Sequence, residues 1–216
     1  MLAAYIVLTL ATVGVMLYGL QLLQQGIDGG TNPTLQDALA GAGRLQLNLF
    51  RLQWLLTLAC YAWAGCWIYR VACNVRALGA KGLDDSPGWA VGWYAVPVMN
   101  LVRPMRALAQ IWLGTLAPAR WQKLPTPRLL AAWWGCWIAG NLSYWFLARY
   151  VQMAHTFRGL HTQQLLLLAG QLLNVAAAVL FLLLVTRLTR MQLQEHERQQ
   201  AMPAASGRSL ADAFVA

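Results

Sequence analysis

Five basic side chains are the residues of this chain best suited to chemistry, because they flank one short stretch of the sequence. They are Arg70, Arg76, Lys81, Arg103 and Arg106. The planar guanidinium group of arginine can hold two oxygens of a phosphate or carboxylate at once. If these side chains share one surface, they predict a pocket for anionic lipid headgroups or for a phosphate-bearing ligand. The alternative is that they only set the membrane topology, with their stems lying along apolar surface.

Metal, redox and hydrolytic chemistry have little support in the residue pattern. His155 and His161 are six residues apart, whereas a metal-binding pair on one helix face is three or four apart. The four cysteines contain no Cys-x-x-Cys pair, so we expect them to be small apolar packing groups. No carboxylate pair and no His–Ser–Asp set falls within the long apolar runs. We therefore expect no metal, no cofactor and no enzymatic activity.

The composition indicates that these side chains belong to a membrane protein. Of the 216 residues, 59% are hydrophobic and only 11% are charged. Soluble domains carry about 25% charged residues. All 7 acidic residues lie outside the long apolar runs, as the high energy of a carboxylate in lipid requires. The net charge of +9 then indicates contact with an anionic membrane surface and not with nucleic acid.

Four apolar runs are long enough to cross a bilayer as helices, which takes about 20 residues. They cover roughly residues 2–23, 49–71, 129–148 and 165–185. The sequence therefore predicts an all-α protein, an integral membrane bundle of four transmembrane helices that forms a single domain over residues 1–190. We expect the polar tail, residues 191–216, to be cytoplasmic and partly disordered.

The positions of the basic residues predict the orientation of the bundle. Of the 16 lysines and arginines, those on the outer side would be Arg44, Arg51, Arg149 and Arg158. All the others lie around the connection between the second and third runs, or beyond the fourth run. Because cytoplasmic loops are enriched in lysine and arginine, we expect the N-terminus, the C-terminus and this central connection on the cytoplasmic side.

An apolar segment within the central connection is too short to cross a membrane. Every residue from Gly88 to Met99 is apolar, glycine or proline, and an amphipathic stretch follows it. Such a segment lies in the interface or enters the bilayer and returns on the same side. We expect a proline-broken helix pair over residues 87–117, re-entrant or interfacial, between the second and third spans. We refer to residues 87–117 as the central pair.

The central pair carries a candidate structural motif of prolines, glycines, tryptophans and one asparagine. Its residues are Pro87, Gly88, Trp89, Gly92, Trp93, Pro97, Asn100 and Pro104. The first proline predicts a helix start, the second a break and the third a new helix, with the asparagine as its cap. The two glycines, four residues apart, predict a surface where another helix packs closely. The two tryptophans share one helix face.

Three polar side chains fall inside the apolar runs. Asn141 lies in the third run, and Gln171 and Asn174 lie three residues apart in the fourth. We interpret them as candidate intramembrane polar contacts that join helices, each hydrogen bond contributing roughly 0.6–2 kcal/mol. A polar pore lining is the alternative.

Three stretches of the chain resemble one protein family. They read YRVACNVRALGAKGL, SPGWAVGWYAVPVMNLVRPMRALAQIW and WWGCWIAGNL, and they fall within residues 69–142. These strings resemble the DUF4328 family of bacterial integral membrane proteins, whose function is unknown. The resemblance implies the four-span layout and a multi-pass protein of the bacterial cytoplasmic (inner) membrane. It implies no activity.

Three functions remain open at this stage. We expect a non-enzymatic membrane protein, a structural or regulatory subunit that binds lipid or a partner through the central pair. The alternatives are an oligomeric channel with residues 88–99 as a re-entrant pore element, and an enzyme that acts on lipid. The expected partners are membrane lipids, together with a second copy of the chain or another membrane protein, and no nucleic acid.

Overall fold

Helices form all the regular secondary structure in the described part of the chain. A computed structural model describes residues 1–30, 32–150 and 156–215, without the side chains at 144, 145, 147–150 and 202–215. The α-helices are α1 (Leu2–Gly29), α2 (Pro33–Ala77), α3 (Pro87–Gly92), α4 (Arg103–Leu116), α5 (Arg128–Tyr150) and α6 (Phe157–Val215). Short 3-10 turns cover Trp93–Ala95, Met99–Leu101 and Trp121–Lys123. The predicted all-α class is confirmed.

Three of these helices are long and apolar enough to cross a membrane. They are α1, α2 and the part of α6 over Phe157–Ala201. They contain the first, second and fourth predicted spans, which supports the membrane class. The third predicted span, residues 129–148, lies on α5, some of whose side chains fall outside the described residues. The count of four spans, the orientation of the termini and the partly disordered tail stay predictions.

Local signals fix both ends of the 45-residue helix α2. At its start, the side-chain Oδ1 of Asn32 accepts a hydrogen bond from the backbone N–H of Leu35 at 2.7 Å. At its end, Gly79 has φ 93°, a left-handed conformation that glycine adopts at little cost. The N–H of Ala80 then donates to the carbonyl of Val75 at 3.2 Å, which completes a Schellman motif. The helix therefore continues beyond residue 71, the predicted end of the second span.

The described residues form two compact units. The first comprises Met1–Trp63 and Ala131–Leu182, and the second comprises Ala64–Leu130 and Leu183–Ala216. The first unit thus contains α1, nearly all of α5 and the early parts of α2 and α6. The second contains α3, α4 and the remaining parts of α2 and α6.

Side-chain amides join α2 to α6 within the first unit. Gln53 Nε2 donates to Gln171 Oε1 at 3.1 Å, and Gln171 Nε2 donates back to Gln53 Oε1 at 3.3 Å. Gln46 and Gln164 form a second reciprocal pair at 3.0 and 3.4 Å. Each pair joins residues 118 positions apart, so the two helices run parallel in this unit. Gln53 Nε2 also lies 3.3 Å from Thr9 Oγ1, which connects α1 to the pair.

The predicted polar contacts of the third and fourth spans take two forms. Gln171 forms the interhelical pair with Gln53. Asn141 Nδ2 instead donates to the carbonyl of Trp137 in its own helix at 2.7 Å, and Asn174 Nδ2 donates to Gly170 O at 2.9 Å. Short polar side chains commonly satisfy themselves on the preceding helical turn in this way. The hydrogen bonds of Asn141 and Asn174 therefore both differ from the predicted interhelical role.

In the second unit, most of α4 is buried in protein. Its buried residues are Pro104, Ala107, Leu108, Ala109, Ile111, Trp112, Leu113, Gly114 and Thr115. A Cβ added to Gly114 would lie 2.9 Å from Val75 Cγ2 and 3.2 Å from Ala80 Cβ, so α4 packs closely against the end of α2. The sequence predicts a re-entrant or interfacial element here and leaves open what covers its apolar face. In the structure this face packs against protein, including Val75 and Ala80 at the end of α2.

The reciprocal Gln53–Gln171 pair predicts a non-additive pattern of stability. We expect Gln53→Leu to destabilise the protein by about 1–2 kcal/mol, because it leaves the Gln171 amide unpaired among apolar groups. The double variant with Gln171→Leu should cost no more than the single variant, because no amide is then left alone. Unfolding in mixed micelles measures the free energies. Gln24→Leu, an exposed change on α1, is the control, and a double variant as unstable as the sum of both singles would contradict the pairing.

Candidate functional site

Asp85 lies at the centre of the candidate site, in the loop before α3. Its side chain is only 9% exposed, and its Oδ1 accepts a hydrogen bond from Trp93 Nε1 at 2.8 Å. Arg103 Nη1 lies 3.9 Å from the same oxygen. The backbone carbonyl of Asp85 accepts a hydrogen bond from Arg76 Nη2. Two of the predicted cations, one from α2 and one from α4, therefore meet at this residue.

Aromatic rings hold Arg103 in place beside the carboxylate. The rings of Trp89 and Trp93 have their centroids 4.6 Å apart, which agrees with the predicted shared face. The guanidinium carbon of Arg103 lies 5.0 Å from the centroid of Trp93. A part-exposed ion pair contributes little by itself, but a cation over an indole face adds about 0.5–1 kcal/mol at exposed sites. The ring and the carboxylate together therefore position Arg103.

Two further contacts fasten the loop that contains Asp85. Ser86 Oγ accepts a hydrogen bond from the N–H of Trp89 at 3.3 Å, and Pro87 occupies the first turn of α3, as the sequence predicts. Gln110 Nε2 donates to Asp84 Oδ2 at 2.5 Å, while the N–H of Asp84 donates to Gln110 Oε1 at 3.0 Å. The loop is therefore bonded both to α3 and to α4.

The chain makes a strained turn where the sequence predicts a break at Pro97. Val98 has φ 68° and ψ −49°, and the N–H of Met99 donates to the carbonyl of Pro97 at 2.7 Å. This is a γ-turn with positive φ, a rare conformation that is most unfavourable for a β-branched residue. Such strain costs about 1–3 kcal/mol and persists only where the surrounding structure imposes it.

One prediction for the structural motif is wrong, and a second finds no support within the described residues. Asn100 does not cap α4, because it lies inside a 3-10 turn and Val102 occupies the cap position without a side-chain bond. Gly88 and Gly92 do not form a helix-packing surface within the described residues. A Cβ on Gly88 would meet only Ser86 Oγ at 4.0 Å, and a Cβ on Gly92 would first meet the ring of Trp89, on its own helix, at 3.2 Å.

Apolar side chains are exposed around the strained turn. We define the apolar tip as Val98, Met99, Leu101 and Val102, which are 75%, 46%, 45% and 48% exposed. The tip directly precedes Arg103, whose side chain is 39% exposed, and the exposed Arg106. Exposure of four apolar side chains on one turn is unfavourable in water and favourable in lipid.

The structure divides the five predicted basic residues among three places. Arg76 and Arg103 are bonded to Asp85. Lys81 and Arg106 have exposed side chains, and the carbonyl of Lys81 accepts a hydrogen bond from Trp121 Nε1 at 2.9 Å. Arg70 is exposed in a groove between α2 and α6 within the second unit. The single pocket that would hold all five side chains is therefore not what the structure describes.

The groove beside Arg70 has a volume of about 810 Å³. Its lining includes Trp67, Arg70, Asn74, Leu193, His196 and Gln200. Sequence reasoning missed the α6 side of this groove. One feature of the sequence could have indicated it. Gln164 and Gln171 are seven residues apart, and so are Gln192 and Gln199. Side chains two helical turns apart face the same neighbour, so this spacing indicates a polar seam along α6.

Within the described residues, no three of His, Cys, Asp or Glu come together as metal ligands. His155, half of the histidine pair considered above, lies outside the described residues. The four cysteines are free thiols, of which Cys60 is buried.

Comparison with known proteins yields one family. The model of the family described as a domain of unknown function, DUF4328, matches residues 32–190. The matched range covers more than half of the chain and includes the central pair and the second unit's part of α2. No curated protein and no solved structure matches the chain.

The Asp85 contacts predict that this residue stabilises the second unit. We expect Asp85→Ala to cost about 1–3 kcal/mol, because Trp93 loses an acceptor and Arg103 loses its carboxylate. The melting temperature should then fall by about 2–4 °C per kcal/mol. Thermal unfolding in detergent measures the shift. Asp37→Ala, which removes an exposed acid on α2, is the control, and equal shifts for both variants would contradict the assignment.

Proposed function

The chain belongs to the DUF4328 family, and on that premise we propose that it is a non-enzymatic membrane protein whose central pair docks on the inner face of the bacterial cytoplasmic membrane. It acts there as a structural or regulatory subunit that binds lipid. The observation that carries the proposal is the exposed apolar tip on a strained turn. The absence of a carboxylate pair or a nucleophile–base pair from the apolar runs of the sequence supports a non-enzymatic role.

The energetics of the tip favour lipid over water. Full transfer of one Val, Leu or Met side chain out of water contributes about 1.5–3 kcal/mol. The four side chains of the tip are about half exposed or more. Their insertion into lipid therefore contributes several times the transfer free energy of a single half-exposed side chain. This gain exceeds the strain at Val98, which costs about 1–3 kcal/mol. The turn therefore exposes the tip to the bilayer, and lipid around the tip stabilises the strained conformation of Val98.

Residues next to the tip suit the headgroup region. Trp89 is 52% exposed, and indole rings favour the membrane interface. Arg106 follows the tip with an exposed side chain, and an arginine close to an anionic surface contributes about 1 kcal/mol. Long arginine stems let the charge reach phosphates while the backbone stays deeper. An apolar tip with tryptophan and arginine behind it is the order expected for an element that enters one leaflet.

Cysteine labelling tests this placement. In a background without Cys60, Cys66, Cys73 and Cys136, V98C in liposomes should react roughly tenfold more slowly with a water-soluble maleimide than in detergent. Q122C is the control, because Gln122 is exposed on a 3-10 turn of the same unit and should label equally in both.

The outcomes separate the proposal from its alternative. Equal labelling of V98C and Q122C in liposomes would contradict insertion of the tip. Rapid labelling of positions 88–99 from both sides of the membrane would instead favour an oligomeric channel with this segment in its pore. Slow labelling with the water-soluble reagent and fast labelling with a lipid-soluble maleimide would support insertion.

A further inference from the structure

We propose that the groove between α2 and α6 in the second unit is a discrete site for one anionic phospholipid, with the phosphate on Arg70. This site is separate from the apolar tip, because no tip residue lines the groove. Its volume of about 810 Å³ is in the range of small-molecule pockets, which hold about 300–1,000 Å³. The groove therefore has room for a headgroup and the adjoining part of a lipid.

The charge of the groove selects an anion. Among the described side chains that line the groove, Arg70 carries the only permanent charge, and none is an aspartate or a glutamate. Arg70 is exposed, and no ion pair is formed by it within the described residues. Its guanidinium group can hold two phosphate oxygens at once.

The position of Arg70 along the groove suits a membrane lipid. Trp67 donates to Thr189 Oγ1 at 3.2 Å at one end, and Gln199 Nε2 donates to the carbonyl of Leu78 at 3.1 Å at the other. Leu78 follows Trp67 by eleven positions, which makes the groove roughly 16.5 Å long at 1.5 Å per residue. Arg70 lies at the end near residue 71, where the second predicted span ends. A phosphate bound there is at the level of the headgroups.

The remainder of the groove suits the polar part of a headgroup. Asn74, His196 and Gln200 line the half that extends away from the predicted span. Asn74 Nδ2 donates to Gln192, and Gln200 Nε2 lies 2.9 Å from His196 Nε2, so the side-chain amide oxygens of Asn74 and Gln200 are the groups that can accept from hydroxyl groups. A headgroup that carries hydroxyls, such as glycerol, fits this lining better than a bare phosphate.

An apolar wall favours a lipid over a free anion. Leu193 lines the groove and is 58% exposed, although it lies in the polar stretch QLQEHERQQ of α6. Val71 and Ala77 line the same groove from α2. An inorganic anion makes no use of such a wall, whereas the glycerol backbone and first methylenes of a phospholipid would cover it.

Buried hydrogen bonds preorganise the groove. Gln192 is 5% exposed, and its Nε2 donates to the carbonyl of Val71 at 3.0 Å and to Thr115 Oγ1 at 3.2 Å. Its Oε1 accepts a hydrogen bond from Asn74 Nδ2 at 3.0 Å. These contacts tie α6 to both α2 and α4 before any ligand binds. A wall that is already ordered loses less conformational freedom on binding.

Native mass spectrometry of the full-length protein in detergent tests the site. Titrated phosphatidylglycerol should saturate the wild-type chain at one tightly bound molecule. Arg70→Gln should weaken this binding about tenfold or more, because charge-assisted hydrogen bonds are lost. Arg44→Gln, which removes an exposed charge from the same helix, is the matched control. Ala77→Trp is a second variant that fills the groove without changing charge, and it should also weaken binding.

Each result decides the proposal. Loss in Arg70→Gln and Ala77→Trp, with wild-type binding in Arg44→Gln, supports it. Wild-type binding by Arg70→Gln, or an equal loss in Arg44→Gln, overturns it. Competition by inorganic phosphate at the concentration of phosphatidylglycerol also overturns it, since the ligand would then be a free anion. Equal binding of phosphatidylcholine overturns it too, since the site would then bind any lipid. Val98→Ser should leave phosphatidylglycerol binding in the groove unchanged. A failure of the proposed tip insertion is therefore distinguishable from a failure of the proposed lipid site.

Discussion

An amide side chain among apolar groups needs a hydrogen-bond partner within the protein, and this constraint determines how α2 and α6 pair. In the first unit, Gln53 and Gln171 satisfy each other through two hydrogen bonds. In the second unit, Gln192 is satisfied by Asn74, by a backbone carbonyl of α2 and by Thr115 of α4. A slip of either helix by one residue would break several bonds at once, so the register is specified much more strongly than by apolar packing alone. The groove beside Arg70 is a consequence of this register.

A second polar centre organises the central pair. Asp85 is almost buried, so its carboxylate requires partners, and Trp93 and Arg103 supply them. Asp85 therefore engages two cations of the basic set, Arg103 through its carboxylate and Arg76 through its backbone carbonyl. The residue types of the basic set indicated anion binding, but only the fold shows which of those charges are already occupied. The loop with Asp85 also sets the start of α3, and so the direction in which the chain approaches the apolar tip.

Local signals in the sequence predicted several helix ends, whereas the contacts between distant residues could not be predicted from it. Gly79 after α2, Ser86 and Pro87 before α3, and the break at Pro97 each act within one helical turn, so nearby residues are enough to recognise them. The amide pairs join residues 118 positions apart. The seven-residue spacing of glutamines along α6 was the one local signal of these pairs. The amphipathic pattern of α4 correctly indicated a buried face. It could not distinguish lipid from protein as the burying medium, because both are apolar.

The choice of residue at position 98 links backbone strain to environment. A loop in water that requires positive φ usually carries glycine or asparagine, which adopt this conformation at little cost. Here the position carries valine, which is strained in the backbone and 75% exposed in the side chain. Both penalties are explained together if the side chain lies in lipid, because transfer from water then offsets the backbone strain. Backbone hydrogen bonds of the following 3-10 turn hold the conformation, since the N–H of Leu101 donates to the carbonyl of Val98 at 3.1 Å and that of Asn100 to Val96 at 2.9 Å. The strained turn and the apolar tip are therefore one feature, and the proposed insertion into lipid accounts for both.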